Sequence, residues 1–336
     1  MTLAAILDAG TPTGVGSLPF DDAAVAASVT LSLHPELPAA PQLPRRNPRE
    51  GMLAQVAVGL PGVAVGDDGA IAIDRRRFGP VDDGAPLCTE AWAGTLAFLD
   101  ACAGRTAAIK VQLTGPVTLG LAFVDAGARA SRAFEVAAAT VKARVASLVA
   151  AVHERSPGAP VVAVLDEPSL TRATHPGFPL VPEDTVDLLS GGLASATAAG
   201  AAFQGVHCCG PVDWSLVLHA GPDLVSLPAS PAVIDDAAGL AVFLDRGGWV
   251  AWGVVPTDRP FGDRHDTHWL RLNEVWAGLT AAGCDPVALR TQSLITPACG
   301  LAFHDPAQVP TVFRLVREVA QRVQDQAYAA RMSVGA

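Results

Sequence analysis

The sequence predicts one (β/α)8 barrel, or TIM barrel, in which eight parallel strands alternate with helices over residues 1–336. The length of 336 residues suits a single barrel of this kind. Short apolar runs alternate with Ala-rich stretches of helical pattern, and this alternation is typical of parallel βα units. Several of the runs end in polar, Gly or Pro residues, as barrel strands do where they meet the loops of the functional face.

Seven runs are predicted to be strands, and the eighth strand is expected within the ambiguous region 56–73. In chain order the seven are residues 13–17, 108–113, 161–165, 203–207, 224–227, 249–254 and 293–295. Most are rich in Val, Ile, Leu, Phe or Trp, and they are too short for helices but long enough for strands.

The stretches between these runs are predicted to be helices. They cover residues 91–103, 131–152, 182–199, 238–245, 268–282 and 306–331. In residues 131–152, charged side chains recur within an Ala- and Val-rich stretch, which is the pattern of an amphipathic helix. Residues 35–48 contain five prolines and are predicted to form a long loop, because proline disrupts a helix interior. Residues 330–336 are predicted to be a frayed tail.

The composition excludes several classes of function. The net charge of −10 opposes binding to nucleic acid. No apolar run approaches the roughly 20 residues that span a membrane, and the N-terminus lacks the basic start and apolar stretch of a signal peptide. Six cysteines in 336 residues do not suggest a disulfide scaffold. A reduced, cytoplasmic protein with no nucleic-acid or membrane partner is therefore expected.

His207, Cys209 and Cys299 are the candidate metal ligands. His207 and Cys209 are two residues apart, so on an extended segment their side chains point to the same side, while Cys208 faces the opposite way and packs. Imidazole and thiolate together form a donor set that suits zinc. Cys299 is distant in sequence and can join only through the fold. The alternative is that these are core residues, since cysteine is among the most buried residue types.

Three further polar motifs also lie at the C-terminal ends of predicted strands. They are Gly16-Ser17, Thr114-Gly115-Pro116 and Asp166-Glu167-Pro168. Since the C-terminal ends of all strands in a barrel open on one face, these motifs and the metal ligands are expected to share one site. Taken singly, Ser17 fits a turn or helix cap equally well, and Asp166 with Glu167 fits a solvated turn.

Together, the motifs resemble the catalytic domain of cobalamin-independent methionine synthase. The resemblance is carried by Gly16-Ser17-Leu18-Pro19, Leu113-Thr114-Gly115-Pro116-Val117-Thr118, Asp166-Glu167-Pro168, His207-x-Cys209-Gly210 and Pro297-x-Cys299-Gly300-Leu301, and it extends over residues 13–304. The wider group includes uroporphyrinogen decarboxylase and the zinc-dependent coenzyme M methyltransferases. The resemblance implies a barrel enzyme that transfers a methyl group to a thiol, above all to homocysteine to give methionine.

The resemblance also implies roles for individual residues. His207, Cys209 and Cys299 would bind Zn²⁺, which in turn binds the substrate thiol. Ser17 and Asp166 would hold the amino-acid part of homocysteine, with Asp166 on the amino group and Ser17 on the carboxylate. Glu167 is expected to orient a metal ligand by accepting a hydrogen bond from it.

The sequence departs from this family in three respects. Family members are usually about twice as long, with an N-terminal barrel that helps to bind polyglutamate folate. The methyl donor is therefore open between folate and a methyl-corrinoid, free or carried by a partner protein. Pro228 stands where the family often has a zinc-binding Glu, which leaves the fourth zinc ligand open. The strand near Trp252 lacks the family's catalytic His, so no proton donor is identified.

Two other functions stay open at the level of sequence. A lyase of the uroporphyrinogen decarboxylase type would need no zinc but a large cationic cleft, and the candidate metal ligands weigh against it. A non-catalytic relative would bind zinc or a thiol without turnover, which fits the missing Glu and His. A measurement of metal content would separate the lyase from the two zinc-binding functions. A methyl-transfer assay would separate the methyltransferase from the non-catalytic relative.

Overall fold

The computed structural model describes residues 2–82 and 84–334 and shows an α/β fold built on a parallel sheet. The strands are β1 (Thr11–Pro12), β2 (Val63–Val65), β3 (Ile71–Ile73), β4 (Ile109–Thr114), β5 (Val161–Asp166), β6 (Phe203–His207), β7 (Leu224–Pro228), β8 (Trp249–Val255) and β9 (Ser293–Pro297). The α-helices are α1 (Ala23–Leu33), α2 (Met52–Ala57), α3 (Thr89–Ala101), α4 (Pro116–Asp125), α5 (Ala130–Arg155), α6 (Pro182–Ala198), α7 (Trp214–His219), α8 (Ala237–Asp245), α9 (His265–Ala281), α10 (Pro286–Thr291) and α11 (Val309–Val334).

Seven of these strands form one parallel sheet in the order β1-β9-β8-β7-β6-β5-β4. Because helices connect successive strands, the C-terminal ends of the strands lie at the same edge, as the alternating pattern predicts. The register aligns Asp166 at the end of β5 with His207 at the end of β6, and His207 with Ser226 in β7. The residues that end these strands are therefore neighbours across the sheet.

The predicted position of the eighth strand is wrong. The region 56–73 contains the end of α2 and the antiparallel hairpin of β2 and β3, which is separate from the main sheet. The Pro-rich segment instead reaches both edges of the sheet, because Leu37 bridges Thr13 and Ala39 bridges Lys110. Prolines in this segment lack an N–H group and cannot continue a ladder, so pairing is confined to isolated bridges. A complete eight-stranded closure stays a prediction.

Alternate residues of each strand face opposite sides of the sheet and form two cores. The side that faces the helices carries the larger core, which includes Val111, Leu165 and Trp252. The inner side carries a smaller core, which includes Val164 and Trp249. Buried polar side chains also occupy the inner face of the strands. They include Lys110, Gln112, Thr114, Asp166, His207, Ser226 and Thr296.

Five helices of the described chain, α1, α2, α4, α7 and α10, lie outside the predicted set. α4 begins at Pro116, a residue that also fits a simple break after a strand, because proline suits the first turn of a helix. α5 is long and apolar enough to cross a membrane, but 56% of its most apolar window is buried within the protein, so packing accounts for its composition. α11 extends to Val334, so residues 330–334 of the predicted frayed tail are helical, and residues 335–336 lie outside the described part.

Candidate metal centre

His207, Cys209 and Cys299 converge at the C-terminal edge of the sheet. His207 is the last residue of β6, Cys209 lies just beyond it, and Cys299 follows the end of β9. Each residue offers one ligating atom, and these three atoms lie within 4.8 Å of one another. Tetrahedral zinc holds its ligand atoms about 3.5 Å apart, so small side-chain movements would close this set around an ion. The fold thus brings together the three residues that the sequence singles out as ligands.

His207 has one ring nitrogen in a hydrogen bond and the other unpaired. Its Nδ1 lies 2.9 Å from the hydroxyl oxygen of Ser226 on β7. Its Nε2 is buried and has no hydrogen-bond partner among the described residues. A buried nitrogen left unpaired costs about 1–3 kcal/mol, which coordination to an ion would offset. Ser226 would then accept a hydrogen bond from Nδ1–H and keep the lone pair on Nε2.

The two thiols of the cluster differ in acidity. Contacts with the side chains of Cys299 and His207 lower the pKa of the Cys209 thiol, although burial opposes the change. The same contact with Cys209, together with burial, raises the pKa of Cys299. Of the two thiols, Cys209 is therefore the one that loses its proton more readily. Cys208 packs in the core that faces the helices, as the alternation along the chain predicts.

Asp166 lies beside the candidate metal ligands at the end of β5, paired in register with His207. The side chain is buried, and its Oδ1 has no hydrogen-bond partner among the described residues. Burial raises the pKa of this carboxyl to about 6, while His207 and Lys110 favour its charged form. An unpaired carboxylate oxygen in this place can accept a hydrogen bond from a cationic group of a ligand.

Ser17 lies against the loop that follows Cys299. The carbonyl oxygen of Ser17 accepts a hydrogen bond from the Leu301 amide at 2.7 Å. A Cβ atom at Gly300 would lie only 2.8 Å from Cβ of Ser17, so glycine permits this close approach. The Ser17 hydroxyl donates a hydrogen bond to Gln42 Oε1 at 3.1 Å. The fold therefore brings Ser17 next to Cys299, as a shared site requires.

Glu167 has contacts that differ from the role suggested by the sequence. Its Oε1 accepts a hydrogen bond from the Val117 amide at 2.9 Å, and its Oε2 accepts one from the Thr118 amide at 2.7 Å. Both amides belong to the first turn of α4, where the helix dipole favours a negative charge. Burial nevertheless raises the pKa of this carboxyl to about 7. The described contacts join Glu167 to His207 through the backbone, and its carboxylate fixes the start of α4.

Sequence reasoning misses Ser226, Lys110 and Gln112. Lys110 Nζ donates to the Val15 carbonyl at 2.8 Å and to Gln112 Oε1 at 3.3 Å. Gln112 Nε2 in turn donates to the carbonyl of Ala40 at 2.6 Å, so these side chains join β4 to Val15 and to the Pro-rich segment. Burial lowers the pKa of Lys110 to about 8, although Asp166 opposes the change. The sequence does carry one sign of Lys110 and Gln112, since a polar residue stands at every second position of the otherwise apolar strand β4.

The residues fit a zinc ion with three protein ligands. One imidazole and two thiolates match the donor set and number of catalytic zinc sites, which keep a fourth position for water or substrate. The unpaired Nε2 of His207 would supply the lone pair that such an ion needs. Pro228 ends β7 and has no side-chain donor atom, so the place where a related enzyme could use Glu contributes no ligand here.

Comparisons with known proteins support the fold and leave the family open. No protein-family model matches the chain, and no curated protein matches its sequence. Among solved structures, the chain is similar to a protein from Listeria monocytogenes. That protein is provisionally named a vitamin-B12-independent methionine synthase, and the match has a TM-score of 0.56 at 15% identity. The alignment covers 90% of this chain and 85% of that one. At this identity the likeness shows the fold alone.

Two further structures align over most of the chain with lower similarity. Dihydropteroate synthase from Stenotrophomonas maltophilia has a TM-score of 0.33 at 15% identity, covering 92% of this chain and 91% of that one. A fungal beta-1,4-galactanase has a TM-score of 0.39 at 13% identity, covering 90% of this chain and 98% of that one. Neither similarity is strong enough to bear on function.

Proposed function

We propose that this protein is a zinc-dependent methyltransferase that moves a methyl group onto a small thiol, with homocysteine as acceptor and methionine as product. The observation that carries the proposal is the convergence of His207, Cys209 and Cys299 around an unpaired buried nitrogen. The motif resemblance to cobalamin-independent methionine synthase supports it. The fold shared with the Listeria protein of that provisional name supports it as well.

Zinc bound here would act as a Lewis acid that deprotonates the acceptor thiol, whose ordinary pKa is about 8.5. The two cysteinate ligands offset the charge of the ion, so they favour a nucleophilic sulfur in the open position. Ser226, whose hydroxyl lies 2.9 Å from Nδ1 of His207, would accept a hydrogen bond from Nδ1–H and so leave the lone pair on Nε2. Asp166 attracts the amino group of the acceptor, and Glu167 fixes the end of β5 against α4 so that Asp166 stays in place.

We also propose that the segment 37–42 completes an eight-stranded barrel, since it bridges both edges of the sheet. The methyl donor is either a folate or a methyl-corrinoid, free or carried by a partner protein, and it would approach from the C-terminal edge of the strands. The cysteines of the described chain are all free, which supports a reducing, cytoplasmic setting for thiol chemistry.

The test is a methyl-transfer assay with zinc-loaded protein. Methylcobalamin and methyltetrahydrofolate are offered separately with homocysteine, and methionine is measured. We expect methionine from at least one donor. Asp166→Asn keeps the side-chain shape but removes the charge, so it should raise the KM for homocysteine roughly 10- to 100-fold, as for a lost charge-assisted hydrogen bond, while zinc is retained. The absence of methionine from both donors, in protein shown to hold zinc, would contradict the proposal.

A further inference from the structure

Three side chains and one backbone carbonyl form a hydrogen-bonded chain that begins at Ser17. The Ser17 hydroxyl donates to Gln42 Oε1 at 3.1 Å, and Gln42 Nε2 donates to Gln55 Oε1 at 2.8 Å. Gln55 Nε2 then donates to the carbonyl oxygen of Ala91 in α3 at 3.0 Å. Gln42 and Gln55 are 1% and 0% exposed, so water cannot replace these contacts.

The direction of every hydrogen bond in this chain is fixed from its far end. The Ala91 carbonyl can only accept, so the amide of Gln55 must turn its NH2 group toward it. Gln55 therefore presents oxygen to Gln42, and Gln42 must donate its own NH2 group in return. Reversal of either amide would place two acceptors or two donors face to face in a buried position, which is costly. Gln42 thus presents only its oxygen to Ser17.

The hydroxyl of Ser17 is consequently committed as a donor away from the site. A hydroxyl has one proton and two lone pairs, and the proton of Ser17 is used by Gln42. Toward the site the Ser17 hydroxyl offers only lone pairs, which repel a carboxylate and accept a hydrogen bond from an N–H group. The role expected from the sequence, in which Ser17 donates to the carboxylate of the substrate, conflicts with this polarity.

The second acceptor of the site has the same polarity. Asp166 Oδ1 is buried without a partner among the described residues, and the strand register places it beside His207. Ser17 adjoins Gly300 next to Cys299. Two acceptors, one of them a carboxylate, thus border the cluster of candidate ligands.

We propose that the thiol acceptor is selected through its ammonium group, which donates hydrogen bonds to Ser17 Oγ and to Asp166, and that its carboxylate is dispensable for binding. Gln42 and Gln55 are positioning residues that set the polarity of Ser17. The inference rests on the proposed function in assuming a zinc-bound thiol acceptor, and it adds the chemical class of that acceptor, a short primary aminothiol.

The test compares three thiols on zinc-loaded protein by titration calorimetry, and each charged group keeps the distance from sulfur that it has in homocysteine. They are homocysteine, 3-aminopropanethiol, which lacks the carboxylate, and 4-mercaptobutanoate, which lacks the amine. The aminothiol should bind within about tenfold of homocysteine, and the mercapto acid should bind at least about tenfold more weakly than the aminothiol, since a charge-assisted hydrogen bond is lost.

Two variants test the role of the hydrogen-bonded chain. Gln42→Met removes the acceptor that holds the Ser17 proton, so the hydroxyl can donate into the site, and the preference for the aminothiol over the mercapto acid should shrink. Ser17→Ala lies at a half-buried position and keeps the glutamine pair intact. It should weaken the aminothiol several-fold and leave the mercapto acid unchanged. The matched control is Gln292→Met, because Gln292 bonds the carbonyls of Leu244 and Gly248 near the opposite, N-terminal edge of the strands. The control should keep the wild-type preference.

Each outcome decides between the two proposals. Equal or tighter binding of the mercapto acid to the wild type overturns the inference, and methyl transfer to homocysteine in the same preparation would leave the proposed function standing. A clear preference for the aminothiol, in protein that yields no methionine from either donor, supports the inference and counts against the proposed function. If the preference for the aminothiol over the mercapto acid is unchanged in both Gln42→Met and Ser17→Ala, the role assigned to Ser17 is overturned.

Discussion

Ser226→Ala should weaken zinc binding without removing any ligand. Ser226 is the partner of His207 Nδ1 at 2.9 Å, and the two residues are only 6% and 5% exposed. When Nε2 coordinates an ion, Nδ1 carries the proton and donates it to the Ser226 hydroxyl. Alanine leaves this buried N–H without an acceptor, and it also frees the ring to take the other tautomer, which cannot present a lone pair on Nε2.

The size of the effect follows from that single hydrogen bond. An unpaired buried N–H costs about 1–3 kcal/mol, and tenfold in affinity corresponds to about 1.4 kcal/mol. We therefore expect the Kd for zinc to rise about 10- to 100-fold, which is also the usual effect of removing a residue that supports a metal-binding His.

The assay is competition for zinc between the protein and a chromophoric chelator, for wild type, Ser226→Ala and the control Ser293→Ala. Ser293 is also a fully buried strand serine, but its hydroxyl accepts a hydrogen bond from Trp252 Nε1 at 3.0 Å on the side that faces the helices. The control should lose stability and keep its affinity for zinc. Equal zinc affinity of Ser226→Ala and wild type would refute the assigned role of Nε2.

Three other predictions separate the site from its supporting structure. Cys209→Ser should lose most of its zinc, measured by elemental analysis of purified protein, whereas Cys208→Ser should keep it, since Cys208 packs in the core behind the sheet. Glu167→Gln should lower the free energy of unfolding by about 1.5–3 kcal/mol, because one charge-assisted hydrogen bond to α4 is lost. Its zinc content should be unchanged. A loss of zinc in folded protein would instead support the role in which Glu167 orients a metal ligand. Burial lowers the pKa of His34 from 6.5 to about 3, so between these values the unfolded chain binds a proton that the folded protein does not, and stability must fall as the pH falls. From about pH 7.5 to 5, urea denaturation should show wild type losing about 2 kcal/mol more than His34→Gln, whereas the exposed His175→Gln should behave as wild type.

Strands β4 to β9 could be predicted because they are short apolar runs with marked ends, whereas the first strand is Thr11–Pro12 and not the predicted residues 13–17. β6 occupies Phe203–His207, the same residues that the pattern predicts, since an apolar run there ends at a polar motif. The alternation of side chains along the chain separates Cys208 from its two neighbours in the cluster. Short apolar strands that end in ligating residues therefore locate the candidate metal centre from sequence alone.

The eighth strand could not be located by that method. Its expected region forms a separate hairpin, and the segment that bridges the sheet edges is rich in proline. Proline lacks the N–H group of a regular strand, and pattern analysis therefore reads the segment as a loop. Side chains such as Lys110 and Gln112 replace part of the missing ladder, and such long-range contacts have no periodic signal in sequence.

The supporting residues of the site were also hidden. Ser226 is one small polar residue inside an apolar strand, and only the register of β6 with β7 shows that it faces His207. The polarity of Ser17 depends on Gln42 and Gln55, which join it through side-chain contacts between loop and helix. A sequence can indicate that Ser17 belongs to the site, but the direction in which its hydroxyl donates emerges only from the complete chain of hydrogen bonds.

The most direct test of the central claim is X-ray absorption at the zinc edge on the purified protein, with and without homocysteine. With His207, Cys209 and Cys299 as ligands and one open position, the ion should show two sulfur neighbours in the free protein, at the usual Zn–S distance of about 2.3 Å. Addition of homocysteine should raise the count to three sulfur neighbours. A zinc ion that keeps the same sulfur count in the presence of saturating homocysteine, or a protein that binds no zinc, would contradict the account.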